Sequence, residues 1–279
     1  MTGLMILGHL SRWRPELVRV SSSWPPTSWG LHCALFSEGG ADHMDTQAIV
    51  EKIRSLPKEG LVRTLYETIA WKERPYFETK IMDPAIRPLR DDMLLVGPAY
   101  TVGDPWMAFD MLADPSKRGC VVTIATSGCE GTFAGAFMAR LAEADGAVGL
   151  LTDGYVTGSA AIVKKSFPVF AKGARIPYAG YSFKGRFQVP VCCGGVTVHP
   201  GDFIVGDRDG VMVLKPEEAA KLAEDAQWII KVVKTMTAKY LDKGVRFVDV
   251  PGVRDYWPYK VEGTRNEPDF YREWVEKHG

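Results

Sequence analysis

The chain has 279 residues, 46% of them apolar, with 34 basic residues balanced by 34 acidic ones. A chain of this size buries a full core, its charge balance lacks the basic excess of an obligate nucleic-acid binder, and no apolar run reaches the roughly 18 residues of a bilayer span. The five cysteines, Cys33, Cys120, Cys129, Cys192 and Cys193, form neither CxxC nor Cys/His ligand spacing, which points to a reduced, cytoplasmic protein.

Residues 1–43 differ from the rest: "MTGLMILGHLSRWRPELVRVSSSWPPTSWG" holds one acid, Glu16, and no sustained period. Its apolar stretch is too short and its charges misplaced for a secretory signal, so the segment reads as a leader, disordered or not native, ahead of a start at Met44. From Asp45, "DTQAIVEKIRSL" sets Ile49, Ile53 and Leu56 on one helical face, and "EGLVRTLYETIAW" continues in kind. Residues 44–90 are therefore expected to be an N-terminal helical segment, followed by a core domain over 91–236. There, "MLLVGPAYTV" is a strand around a Gly-Pro break, and "GCVVTIAT" is the unbroken apolar run of a strand buried on both faces. "TFAGAFMARLAEA" predicts a helix, with Phe133, Phe137 and Leu141 at i, i+4 and i+8 and a stop at Asp145-Gly146. "AVGLL" predicts a second buried strand, "TDGYVTG" a sharp turn, "SAAIVKK" a second helix and "FPVFAKG" a third strand.

These are successive βα units, which place strand C-termini on one edge. After Pro177 the texture changes to short antiparallel strands, turning at Pro200-Gly201-Asp202 and at Asp207-Arg208-Asp209-Gly210. "KPEEAAKLAEDAQWIIKVVKTM" is a closing helix, with Pro216 in its first turn and Leu222, Ile229 and Val233 on one face. The extension over 237–279 carries Tyr256, Trp257, Tyr259, Phe270, Tyr271 and Trp274, too many rings to stay in water, so it is expected to pack on the core or on a neighbouring subunit.

Three stretches can carry chemistry. "TSGCEGTFAGAFMA", residues 126–139, is a Gly-rich strand-to-helix loop whose N–H groups suit a carboxylate or phosphate, or an ordinary turn, since no Gly-Lys-Ser/Thr of a P-loop follows. Asp153, in "LLTDGYVTGSAAIV", is a general base, a metal ligand, or a carboxylate accepting turn N–H groups. "GDRDG" with His199 upstream is a divalent-metal site or a hairpin turn, and the turn is the more common use of that pattern. Neither Ser159 nor Cys129 has a nucleophile–base spacing in its favour.

The order "GPAYTV", "GCVVTIAT…GTFAGAFMARLAEADGAVGLLTDGYV", "FPVFAKG" and "VPVCCGGVTVHPGDFIVGDRDGVMVLKPEEA" resembles the RraA-like family, which holds regulators of ribonuclease E activity and 4-hydroxy-4-methyl-2-oxoglutarate aldolases. The resemblance covers about residues 94–225. It implies an α/β fold of the swivelling β/β/α three-layer type, a homotrimer or hexamer with sites between subunits, and a lyase acting on a small oxo- or hydroxy-carboxylic acid with magnesium or manganese. Its regulator branch implies instead a non-catalytic protein working through protein contacts. The family's substrate loop falls on Gly135, Ala136, Phe137 and Met138. Its Asp-Gly-x-x-Arg-Asp pattern falls on Asp153 and Gly154, then on Thr157 where the family has the substrate-binding Arg and on Gly158 where it has the metal-binding Asp. Asp153, Thr157 and Glu130 stand as the catalytic candidates, Asp153 as the candidate metal ligand, and Arg186, Lys184 and His199 as possible substitutes for the missing charges. A small carboxylate is the implied partner, with neither nucleic acid nor membrane.

Overall fold

A computed structural model describes residues 45–68, 79–103, 114–177, 186–253 and 267–279. The leader, Lys184 and the rings of Tyr256, Trp257, Tyr259, Phe270 and Tyr271 lie outside the described residues and side chains. In chain order the elements are helix α1 (Thr46–Arg54), α2 over 61–68, strands β1 (Arg87–Pro88), β2 (Leu95–Gly103), β3 (Val121–Ile124) and β4 (Thr132–Gly135), helix α3 (Ala136–Ala144), strands β5 (Gly149–Thr152) and β6 (Tyr155–Thr157), helix α4 (Ser159–Ile162), strands β7 (Val169–Ala171), β8 (Arg186–Phe187), β9 (Val191–Cys193), β10 (Val196–Val198), β11 (Phe203–Asp207) and β12 (Gly210–Leu214), and helices α5 (Pro216–Lys239) and α6 (Glu267–His278).

The fold is mixed α/β around a nearly closed sheet, as the resemblance implies. Strand order is β1-β7-β5-β3-β2-β11-β12, with β8 beside β2. The centre, β2, β3, β5 and β7, is parallel, and β11 and β12 join it antiparallel. Every residue of β3, β5 and β7 is buried, which explains their unbroken apolar runs. One short segment closes the sheet. Met82 donates its N–H to Val211 O at 3.0 Å in β12, while Arg87 and Pro88 pair with β7. Both edges are thereby occupied, which removes the exposed backbone that invites strand addition.

Alternation along β2 divides the core. Leu95 joins one cluster with residues of β3, β5, β7 and α3, and Val96 joins the other with α1, α2 and α5. Ile49, Ile53 and Leu56 are buried together as their spacing predicts. In α5 the buried line is Leu222, Ala226, Ile229, Val232 and Met236, and Val233 is exposed. The expected place of Val233 on that line is corrected to Val232, because the last turns of α5 are covered by Val250, Val253 and Trp274, which pack on the side that carries Val232 and Met236. Trp274 is buried against Val232, Met236 and Val253, and its indole N–H donates to Pro251 O at 2.8 Å.

The predicted helix over residues 132–144 is shorter than its pattern. Residues 132–135 form β4, paired in parallel with β6, and the helix starts only at Ala136. Phe133 is therefore a buried strand residue and Phe137 is 68% exposed, so the Phe133–Phe137–Leu141 stripe does not exist. Short apolar runs do not distinguish strand from helix, and β4 is decided by its partner β6. The turn after β5 likewise contains a strand, β6, and the helix that follows it is a single turn.

Cys192 and Cys193 face opposite sides of β9, the first exposed and the second fully buried. Burial pushes the Cys193 thiol well above its ordinary pKa, and the nearby Asp153 carboxylate adds to this. Iodoacetamide at neutral pH is therefore expected to alkylate Cys192 and spare Cys193 in the folded protein, read by peptide mass mapping. Equal labelling would contradict the burial of Cys193.

Candidate functional site

The strand-to-helix corner is built by the β4/β6 pair. Both strands run in parallel toward a helix start, β4 into α3 and β6 into α4, with Gly135 opposite Thr157. Gly135 is extended, φ −154°, and no side chain caps α3. A Cβ on Gly135 would stand 2.9 Å from the Thr157 methyl, so the strands approach this closely because residue 135 has no side chain. Ala136, Phe137 and Met138 follow as the first turn of α3, placing the predicted substrate loop against Thr157.

Asp153 is held by backbone. One carboxylate oxygen accepts the Thr126 N–H at 2.7 Å, at the end of β3, and the other accepts the Gly194 N–H at 3.1 Å, in the β9–β10 turn. Of the uses open to it from sequence, the geometry matches hydrogen bonding to turn N–H groups, with donors drawn from two other segments.

Gly158 sits in the left-handed region, φ 72° and ψ 28°, and a Cβ there would be 3.0 Å from the Ala136 Cβ. The family's metal-binding carboxylate thus has neither a side chain nor free room at this position. With each Asp153 oxygen already accepting an N–H, and no group of three His, Cys, Asp or Glu side chains among the described residues, the donor set does not fit a divalent metal at this corner. Gly158→Asp is expected to lower the unfolding free energy by about 1–2 kcal/mol, the usual cost of a side chain in this backbone region. It is also expected to create no magnesium site. Urea unfolding and calorimetric titration with magnesium check both halves, and a tight, stabilising site in the variant would refute them.

Cations reach the corner from the loop after β7. The Lys172 ammonium lies 3.1 Å from an Asp83 oxygen. Its pKa is raised by the hydrogen bond to Asp83, and further by the charges of Asp83, Asp153 and Tyr155. Asp83 is lowered by the Ala85 N–H and by Lys172. Arg175 donates its backbone N–H to Val156 O at 2.9 Å, which sets it alongside β6. Its guanidinium lies 5.5 Å from the centre of the Tyr155 ring, and Nη1 donates to both the carbonyl, at 2.8 Å, and the carboxylate, at 3.1 Å, of Glu130. Glu130 is thus engaged with Arg175 at the upstream end of β4.

The other expected contributors stand elsewhere. His199 belongs to the β10–β11 turn, where its N–H donates to Asp202 at 2.8 Å and its ring meets Lys215 at 3.1 Å. Arg186 pairs with Gly103 in β8. Asp207 accepts the N–H groups of Val62 at 2.9 Å and Asp209 at 2.8 Å, so "GDRDG" is a hairpin turn that also ties down α2. Sequence reasoning missed Lys172 and Arg175, whose signal is "FAKGAR". Residues following β7 land beside those following β5 because the two strands are parallel neighbours.

The chain is similar to known proteins over this region. A family model described as RraA-like, Aldolase/RraA, matches residues 65–213. A candidate 4-hydroxy-4-methyl-2-oxoglutarate aldolase of Halalkalibacterium halodurans is 33% identical over 146 residues, which cover 51% of this chain and 70% of that protein. An uncharacterized protein of Methanocaldococcus jannaschii is 38% identical over 113 residues, covering 40% of this chain and 52% of that one. The crystal structure of Streptomyces coelicolor RraAS2, an unusual member of the RNase ES inhibitor RraA protein family, superposes with a TM-score of 0.57 at 19% identity, over 71% of this chain and 99% of that one. At that identity the likeness is one of fold. Among the described residues no helix is long and apolar enough to cross a membrane.

Proposed function

This chain belongs to the RraA-like family, and from that premise we propose that it is a divergent lyase, cleaving or decarboxylating a small oxo- or hydroxy-carboxylic acid at the α3–β6 corner. The observation that carries the reading is the α3 start, which no side chain caps and which opens directly against Thr157. Backbone N–H groups and the helix dipole there favour an anion. Carbon–carbon cleavage beside a carbonyl leaves negative charge on its oxygen, and here the α3 N–H groups and the Thr157 hydroxyl stabilise it. A neutral donor at residue 157 does this less well than a cation. Turnover about 10²–10³-fold below a family enzyme with the full charge set is the natural consequence. The working form is proposed to be a cytoplasmic homo-oligomer, trimer or hexamer.

The test is pyruvate release from oxaloacetate and from a 4-hydroxy-2-oxo acid, with and without magnesium or manganese. Wild type is expected to show slow turnover that Thr157→Val lowers at least about tenfold, since valine keeps the methyl against Gly135 and removes the hydroxyl. Turnover unchanged in Thr157→Val would place the chemistry elsewhere.

A second reading, a non-catalytic protein acting by protein contacts, is favoured by the exposure of Phe137, 68%, on the first turn of α3. It prevails if no oxo or hydroxy acid shifts the melting temperature while a pull-down dependent on Phe137 retains a protein partner.

A further inference from the structure

We propose that the cleft between the end of α1 and α5 is a binding site for a phosphorylated small organic molecule of nucleotide size. None of its lining residues belongs to the α3–β6 corner, so the site is independent of the lyase reading.

The cleft encloses about 430 Å³, a volume within the range of small-molecule sites. Every charged side chain on its wall is a cation: Arg54 from the last turn of α1, Lys58 from the connection to α2, and Lys234 from α5. Gln227, Ile230 and Lys234 share one face of α5, at i, i+3 and i+7, and turn it toward the end of α1. Both walls are fixed. Ile53 and Leu56 are buried in one cluster with Leu222 and Ala226 of α5, and Lys52 reaches Glu224 across the two helices at 3.5 Å. The cleft is therefore formed before any ligand arrives, which lowers the ordering cost of binding.

Three like charges around one concavity repel one another, and nothing in the chain balances them. The α1 dipole favours Arg54 in the last turn but accounts for neither Lys58 nor Lys234, which lie outside that helix. Arg54 donates Nη2 to Val96 O at 3.4 Å, while Lys58 and Lys234 have no hydrogen-bond or ion-pair partner among the described residues. Acids close by are engaged elsewhere: Glu51 accepts from Gln47 at 2.9 Å, and Glu224 is held by Lys52. Glu59 follows Lys58 but does not line the cleft. A cleft walled by one sign of charge focuses its potential and concentrates counter-ions. Phosphate suits this set, because the guanidinium offers paired N–H donors and each lysine a compact charge, so that several cations meet one multivalent group. Leu56 and Ile230 add apolar surface, and the Gln227 amide adds a neutral donor and acceptor, which together accommodate an organic body. A folded protein partner would need a surface of about 800 Å² on each side, which an enclosed cleft of this size does not supply.

Calorimetric titration of the full chain with ADP, inorganic pyrophosphate, adenosine and a tetraglutamate peptide tests this. The variants are Arg54→Gln, Lys58→Gln, Lys234→Gln and their triple combination, with Lys243→Gln, an exposed lysine beyond the end of α5, as the charge control. ADP is expected to bind, pyrophosphate to bind several-fold more weakly, and adenosine and the peptide not at all. Each single variant should weaken ADP about 5- to 10-fold and the triple variant at least about 100-fold, while the control changes it less than about twofold. Melting temperatures should stay at the wild-type value, since the three side chains are exposed. Absence of both ADP and pyrophosphate binding overturns the proposal, as does ADP binding that survives the triple variant. Equal weakening by Lys243→Gln reduces the effect to general charge attraction and also overturns it. Pyrophosphate binding as tightly as ADP makes this a site for the free anion and overturns the organic ligand. Tetraglutamate binding more tightly than ADP, with the same dependence on the three cations, makes the cleft a groove for acidic peptides and overturns the small-molecule site.

Discussion

Asp153→Ala is expected to lower the melting temperature by about 5–15 °C. The carboxylate ties together three segments that are remote in sequence: its own turn after β5, the end of β3 through the Thr126 N–H at 2.7 Å, and the β9–β10 turn through the Gly194 N–H at 3.1 Å. Alanine leaves both donors without an acceptor in a corner where Thr126 is buried. Hydrogen bonds to a charged group contribute about 1.5–3 kcal/mol each, and partial water access to Asp153 brings the pair to about 2–4 kcal/mol. A domain of this size loses roughly 2–4 °C per kcal/mol. Asp153→Asn separates structure from chemistry. Its oxygen still accepts from one N–H while its amide faces the other donor, so about half the stability returns. If Asp153 were a proton acceptor in catalysis, the asparagine variant would recover that half of the stability and still lose all turnover. An alanine variant melting at the wild-type temperature would show that the latch contributes nothing.

Gly194→Ala is expected to be comparably damaging, for a different reason. Gly194 has φ +56°, and a Cβ there would lie 2.5 Å from Ile86 Cδ1 and 3.1 Å from Met82 Cβ, both in buried side chains. The left-handed conformation costs a non-glycine residue about 1–2 kcal/mol, and crowding a packed core costs about 1–3 kcal/mol more. The backbone has no freedom to move away, because the Gly194 carbonyl accepts the Asp83 N–H at 2.8 Å while its own N–H is committed to Asp153. The expected loss of about 2–5 kcal/mol is read by urea unfolding. Because the strain pulls on the same latch, Asp153→Ala combined with Gly194→Ala should cost less than the sum of the two. Strict additivity of the pair would show that the two residues act independently.

The local pattern sufficed where one physical cause dominates. Unbroken apolar runs are the mark of strands covered on both faces, and β3, β5 and β7 are such strands. The Asp-Arg-Asp-Gly stretch is the hairpin that its turn chemistry predicts, since Asp207 and Asp209 hydrogen-bond within the turn and to Val62. Pattern failed where two structures compete for the same few residues. Thr132 to Gly135 satisfy a helical period, yet they are a strand because β6 offers them a parallel partner. That partner is encoded more than twenty residues downstream, beyond the reach of any local window.

The candidate site divides in the same way. Sequence alone determined that the turn after the second buried strand carries Asp153 and lacks charge at Thr157 and Gly158, because residue identity needs no coordinates. It also determined the family, through a motif order spread along the core. Only the tertiary structure decided what those residues do. Asp153 meets N–H groups from Thr126 and Gly194, donors 27 residues before it and 41 after it. The positive charge at the corner comes from Lys172 and Arg175, on the loop of another strand. A parallel sheet gathers the ends of its strands on one edge, so groups far apart in sequence become neighbours there. The turn is uncharged in sequence, yet folding brings a lysine and an arginine beside it.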